Sequence, residues 1–345
     1  MGAAEPLRHG MVVAAIVVIA AAALTAILIV LLKPLLLRYA MARPNARSSH
    51  TTPTPQGGGI AIVVSWIIVA GLAIAATGAW PADTPITLAV VFAATILIAA
   101  LGAVDDIRPM SVAPRLLVQF IAVAGVIAIL PPDLHITQFL PWWLERAVLV
   151  LAGLWFVNLV NFMDGLDWIT VAEMVPVVGV LVLLGGLGAL PPYALLCALA
   201  LLGALLGFAP FNRPVARLFL GDVGSLPLGL VVGWLLALLA SAGYLTAALL
   251  LPLYYLMDAT ITLLRRLSKG ERVWQAHRSH FYQRATDNGF AVEQIVRLVF
   301  GVNLLLGAMA LISVRSNSLT TNITALSVGI IIVGWLLFQF SRKRA

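Results

Sequence analysis

Apolar residues along this chain come in long runs, separated by short polar stretches. Runs near 11–32, 60–79, 85–104, 114–130, 144–162, 169–189, 193–210, 225–241, 243–264, 294–314 and 322–341 approach the ~20 residues a helix needs to cross ~30 Å of hydrocarbon. Prolines punctuate their ends, at Pro81, Pro131-Pro132, Pro141, Pro191-Pro192, Pro210 and Pro214. The stretch 225–264 divides into two spans if Ser241-Ala242-Gly243 makes a tight turn. The first run follows Arg8 and covers 22 residues, too long for the apolar core of a signal peptide, so it reads as a retained helix. No internal repeat or low-complexity linker interrupts the pattern. The expectation is an all-α polytopic membrane protein of about eleven spans, folded as a single domain over 1–345.

Composition supports this pattern. Of 345 residues, 62% are hydrophobic and only 10% charged, with a mean hydropathy of +1.05. A soluble domain of that size would lack the polar surface to stay in water. The formal charge of +7 therefore reports orientation rather than affinity for nucleic acid. If the N-terminus is outside, the loops 33–59, 105–115, 163–168, 211–224 and 265–293 and the C-terminal tail lie inside. Only Arg8, Arg146 and Arg315 then remain outside, leaving 18 of the 21 Lys and Arg on the inner side. That bias predicts a periplasmic N-terminus and a cytoplasmic C-terminus. The single cysteine, Cys197, sits in an apolar run and permits no disulfide within the chain.

The inner loops carry the chemistry. Asp105-Asp106 close the third span; adjacent carboxylates at a membrane edge repel one another unless a cation such as Mg²⁺ relieves them, the plainer reading being a solvated cap. Asn158, Asn161 and Asp164 recur at helical spacing at the end of the fifth span, with Asp167 beyond. Such groups in an apolar helix are costly unless they bind something or pair with another helix. Asp222, flanked by Gly221 and Gly224, opens the eighth span, whose first N–H groups would suit a phosphate–metal complex. His277, Arg278, His280 and Arg284 lie in the longest inner loop. With no third strong ligand for zinc nearby, two His and two Arg suit a diphosphate, or else an anionic lipid surface. Arg47, His50 and Gly57-Gly58-Gly59 lead into the second span, three glycines offering a backbone cradle. No Ser/His/Asp order points to a hydrolase. Several carboxylates, basic groups and helix starts on one face describe metal-assisted phosphoryl transfer. A transporter or lipid flippase is the rival, but it would place its charges near the midplane, where only Asp258 qualifies.

Taken together, Ser-His-x-x-Pro-Thr-Pro-x-Gly-Gly-Gly, Asp-Asp, Asn-x-x-Asn-Phe-Met-Asp-Gly-x-Asp, Gly-Asp-x-Gly-Ser and His-Arg-x-His, in this order from Arg47 to Arg284, resemble the polyprenyl-phosphate N-acetylhexosamine-1-phosphate transferases. The form His-Arg-Ser-His-Phe-Tyr-Gln-Arg most resembles the O-antigen-initiating branch. The resemblance implies transfer of a sugar 1-phosphate from a UDP-N-acetylhexosamine to undecaprenyl phosphate at the cytoplasmic face of a bacterial inner membrane. It implies Mg²⁺ or Mn²⁺ at Asp222, and Asp105 and Asp106 near the phosphates, one of them acting on the lipid phosphate. His277 and His280 would lie by the diphosphate, with His50, Arg278 and Arg284 binding substrate. Asn212 and Phe219 would contact and stack on uracil, and Asn158, Asn161, Asp164 and Asp167 would line the nucleotide site. The partners implied are the lipid phosphate, the nucleotide sugar and the bilayer, with a homodimer compatible. The branch leans toward 6-deoxy sugars such as FucNAc or QuiNAc over GlcNAc or GalNAc. Trp168 stands where the family often has Gly, Gln56 where relatives are often basic or apolar, and Asp258 matches the family's acidic residue in its span.

Overall fold

A computed structural model describes residues 4–42, 53–80, 86–130, 135–136, 139–272, 277–316 and 318–344, without the side chains of 4–8. The apolar runs form helices α1 (Ala4–Tyr39), α2 (Gly59–Thr77), α3 (Ile86–Ile107), α4 (Val112–Ala128), α5 (Trp142–Met163), α6 (Ile169–Gly186), α7 (Pro192–Phe208) and α8 (Asp222–Leu239). After a π-helical segment, Ala240–Tyr244, come α9 (Leu245–Leu250), α10 (Leu253–Ser268), a short α11 (Phe281–Asp287), α12 (Val292–Ser316) and α13 (Leu319–Ser341). A two-stranded ribbon of β1 (Met41–Ala42) and β2 (Thr54–Pro55) is antiparallel. Eight described helical stretches are long and apolar enough to cross a membrane, and α4 and α7 are shorter apolar helices. The chain is a multi-pass helical membrane protein. His50, Arg43, Arg47, Pro81 and Pro131-Pro132 lie outside the described residues.

Local chemistry explains several helix ends. Pro192 opens α7, where its missing N–H costs nothing. Gly78, in a left-handed conformation (φ 67°), closes α2. Pro34 does not stop α1, which runs on to Tyr39; a proline inside a membrane helix is tolerated where neighbours satisfy the freed backbone groups. Between α8 and α9 the helix breaks at Gly243 (φ 92°). The chain reverses there. Asp222 meets Asn161 near the end of α5, and Tyr255 reaches Met163 at that same end, so the residues between must go out and return.

α8 lies at the centre, packed on α2, α3 and α5, while α7 is wrapped by α1, α2 and α6. Several crossings are backbone to backbone, and two of them meet at the start of α8. A Cβ on Gly59 would meet Gly224 Cα at 2.1 Å, and one on Gly102 would meet the Asp222 carbonyl oxygen at 2.4 Å. Neither obstacle is a side chain that could turn aside. These approaches let small residues bring helices into direct contact, and they draw the ends of α2, α3 and α8 to one point.

Candidate active site

That point is where the carboxylates gather. Asp106, in the last turn of α3, accepts the backbone N–H groups of Asp222 (3.0 Å) and Val223 (3.1 Å). It caps α8 from another helix, leaving Gly221 (φ 76°) as the turn before it. This corrects the expectation that the first N–H groups of α8 stand open to a phosphate, because a carboxylate of the same chain fills them. Asp105 accepts from Met110 N (2.6 Å) and pairs with Arg115 (2.9 Å), and its carboxyl lies within interaction range of Asp222. The Asn161 amide donates to Asp222 (2.7 Å) and Ser225 (2.9 Å). Asp105, Asp106, Asn161 and Asp222 thus form one centre.

The glycine run has a different task from the cradle read in the sequence. Gly58 N–H donates to Phe219 O and Gly59 N–H to Leu220 O, each at 2.9 Å. These donors zip the start of α2 to the strand-like segment before α8 and are not available to a phosphate. Gln56 adds a side-chain bond to the Asp106 carbonyl (2.8 Å), a role with no signal in the sequence.

The polar stripe at the end of α5 divides. Asn158 points to α4, where it donates to buried Gln119 (2.7 Å), an interhelical contact worth roughly 0.6–2 kcal/mol; Asn161 alone faces Asp222. Just beyond the helix, Asp164 accepts from the Thr170 hydroxyl (2.5 Å). Burial pushes its carboxyl up to about 7, against the Thr170 hydrogen bond and with the help of the Asp106 and Asp167 charges. Asp167 accepts Ala216 N–H (2.9 Å) and anchors the 211–218 loop. Asn212 does the same with both ends of its amide, accepting Trp168 N–H (2.8 Å) and donating to Leu218 O (3.1 Å). Its amide is spent on backbone in this conformation, whereas Phe219 is half-buried at the edge of the centre.

The histidine motif lies alongside. The Tyr282 hydroxyl donates to Phe162 O (3.1 Å), and a Cβ on Gly165 would meet that hydroxyl at 2.2 Å. This close approach accounts for the glycine of Asp-Gly-x-Asp. His277 and His280 stack with centroids 4.9 Å apart. Burial, then His280 and the nearby Arg266, pull His277 down to about 4, so it is neutral at neutral pH. Its Nδ1 accepts the Ser279 hydroxyl (2.8 Å), which leaves an Nε2–H donor. Arg278 turns away to Thr286 (3.0 Å) and Asp287 (3.3 Å). Arg284 is half-buried, and its guanidinium has no protein partner among the described residues. Arg265, which no motif singled out, grips Ser279 O (2.6 Å) and stacks on Phe281.

The model of glycosyl transferase family 4 matches residues 88–240, a stretch from α3 to the end of α8 that contains the whole carboxylate centre. Over that stretch, less than half of the chain, it is similar to this family, that of the polyprenyl-phosphate hexosamine-1-phosphate transferases. The chain is 26% identical over 286 residues to a probable undecaprenyl-phosphate N-acetylglucosaminyl 1-phosphate transferase of Bacillus subtilis, covering 79% of this chain and 77% of that one. It is 27% identical over 337 residues to a decaprenyl-phosphate N-acetylglucosaminephosphotransferase of Mycolicibacterium smegmatis (87% and 81%). Over 105 residues it is 40% identical to a phospho-N-acetylmuramoyl-pentapeptide-transferase of Chlamydia trachomatis (28% and 31%).

Among the described residues no three His, Cys, Asp or Glu side chains cluster as a metal shell. The pair Asp105 and Asp222 nevertheless fits Mg²⁺ or Mn²⁺, since Mg²⁺ takes one or two carboxylates and completes its octahedron with water and substrate phosphate.

Proposed function

We propose that this chain transfers an N-acetylhexosamine 1-phosphate from a UDP-sugar to undecaprenyl phosphate at the cytoplasmic face of the inner membrane, releasing UMP and starting a lipid-linked surface polysaccharide of the O-antigen type. The observation that carries this reading is the meeting of Asp105, Asp106, Asn161 and Asp222 beside the histidine motif at one end of the helices. The relatives' names, which specify undecaprenyl- or decaprenyl-phosphate acceptors, support the acceptor class.

In this reading an oxygen of the lipid phosphate attacks the sugar-linked phosphorus, the bond to UMP breaks, and the sugar diphosphate stays on the lipid. Two anionic phosphates must approach, so positive charge and donors have to offset their repulsion. Asp222, with Asp105 beside it, would hold a divalent cation that neutralises phosphate charge. Asn161 keeps the Asp222 carboxylate oriented, and Asp106 fixes α8 so that Asp222 projects into the centre. His277, as a neutral N–H donor, and Arg284, as an unpaired cation, suit the diphosphate oxygens. Phe219 offers a ring to the base.

The test supplies purified protein with undecaprenyl phosphate, Mg²⁺ and a panel of UDP-N-acetyl sugars, and measures UMP release. Release with one donor, abolished by EDTA and lowered at least about 100-fold by Asp222→Asn, is expected. No release with any donor would overturn the reading in favour of a transporter.

A further inference from the structure

The histidine motif is held from behind by a carboxylate inside α10. Asp258 has no exposed surface, and a carboxylate at such a place is costly unless its oxygens are filled. Here they are filled. Oδ1 accepts from His280 Nδ1 (3.2 Å) and from Phe281 N–H (3.0 Å), and Oδ2 accepts Tyr282 N–H (3.1 Å). The Thr262 and Tyr254 hydroxyls stand at 3.4 and 3.5 Å. The backbone donors belong to the first turn of α11 and the ring to the residue before it, so one carboxylate both starts that helix and grips the imidazole at its head. Because Asp258 takes the Nδ1 proton, the nitrogen left to His280 is Nε2, which has no protein partner among the described residues. Stacking on His277 on one side and on Tyr282 (5.8 Å, 25°) on the other fixes the plane of the ring.

We propose that Asp258 is a positioning residue for the transfer, holding His280 in its Nδ1–H form so that Nε2 is presented toward the substrate phosphates. This rests on the reading above that the histidine motif meets the diphosphate. The arrangement is the one by which a buried carboxylate sets the tautomer and orientation of a working histidine. A cap for α11 alone would need the two backbone bonds but not the ring.

A double-mutant cycle separates the two roles. If Asp258 acts through His280, Asp258→Asn lowers kcat by about 10- to 100-fold with KM for the nucleotide sugar little changed. In the His280→Gln background the same change then costs no more than about 3-fold. An equal loss in both backgrounds, or full activity of either single variant, would overturn the proposal. A second measurement needs neither turnover nor a folded variant at 258. In lipid-reconstituted protein carrying ¹⁵N-histidine, with His280→Gln used to assign the signal, solid-state NMR should find His280 protonated at Nδ1. An Nε2–H tautomer with bare Nδ1 would overturn the assignment even if UMP release is confirmed. The Nδ1–H form without UMP release would count against the transferase reading alone.

Discussion

Single residues here work under opposing terms. Asp164 is the clearest case for pH. An aspartate titrates near 4 when free in solution, whereas burial lifts Asp164 to about 7. Between those values the folded protein keeps a proton that the unfolded chain has lost, so stability falls as pH rises through that window. Relative to Asp164→Asn, wild-type protein in detergent should lose melting temperature from about pH 4.5 to about pH 7.5. Parallel curves for the two proteins would refute the assignment. Trp168 pits strain against packing. It holds φ 63°, the one positive value among described non-glycine residues, and its indole donates to Ala209 O at 2.6 Å. A left-handed residue with a Cβ costs roughly 1–2 kcal/mol, which the indole has to offset here. Trp168→Ala loses the indole and keeps the strain, while Trp168→Gly loses both. The glycine variant should therefore be the more stable of the two by about 1 kcal/mol in thermal melts. The reverse order would remove backbone strain from the account.

At the scale of helices, the structure depends on contacts that leave no side chain to see. Gly102→Ala would place a methyl on the Asp222 carbonyl, prising α3 from α8 and pulling Asp106 off the N–H groups it caps. We expect membrane insertion to survive and UMP release to fall at least about 10-fold; an alanine variant with wild-type turnover would show that the α3–α8 contact does not set the site. How much of this was legible in the sequence follows from what carries the information. Hydrophobic length finds helices well, and each of the eleven apolar runs coincides with observed helix, the ninth shared between α9 and α10 across Leu251-Pro252. Motif chemistry likewise picked out Asp105, Asp106, Asn161 and Asp222, which meet. Direction was hidden. Asn158 and Asn161 lie three residues apart, but α5 packs on both α4 and α8, and one amide goes to Gln119 and the other to Asp222. Nothing in the sequence pairs Asp106 with a helix more than a hundred residues later, or Gln56 with the Asp106 carbonyl. The seven residues of α11 are too few for a periodic signal and are fixed by the Asp258 cap.

Across the whole molecule, the asymmetry of charge and the convergence of chemistry describe the same end. The loop before α2, the ends of α3 and α5, the starts of α6 and α8, and the segment 277–287 are joined there by hydrogen bonds. The other end is plainer, and its main polar feature is Glu145, which takes His135 (2.9 Å) and the Ile136 N–H (2.7 Å). The sidedness follows if substrate chemistry decides it. In the proposed reaction a nucleotide sugar is water-soluble and made inside the cell, while a polyprenyl phosphate is confined to the bilayer, so their meeting place would be a helix end at the inner surface. Basic residues at that end would also draw the anionic donor in and hold the end on the cytoplasmic side. Single cysteines can test this directly, since the native Cys197 is buried and gives little background. In intact spheroplasts an impermeant maleimide should label Ser316→Cys, an exposed site at the end of α12, and spare Arg213→Cys and Lys343→Cys, both exposed at the site end. All three should react once the membrane is opened. Labelling of Arg213→Cys or Lys343→Cys in sealed spheroplasts would put the carboxylate centre on the outer face. A cytoplasmic UDP-sugar could not reach it there, so that one result would overturn both the topology and the donor.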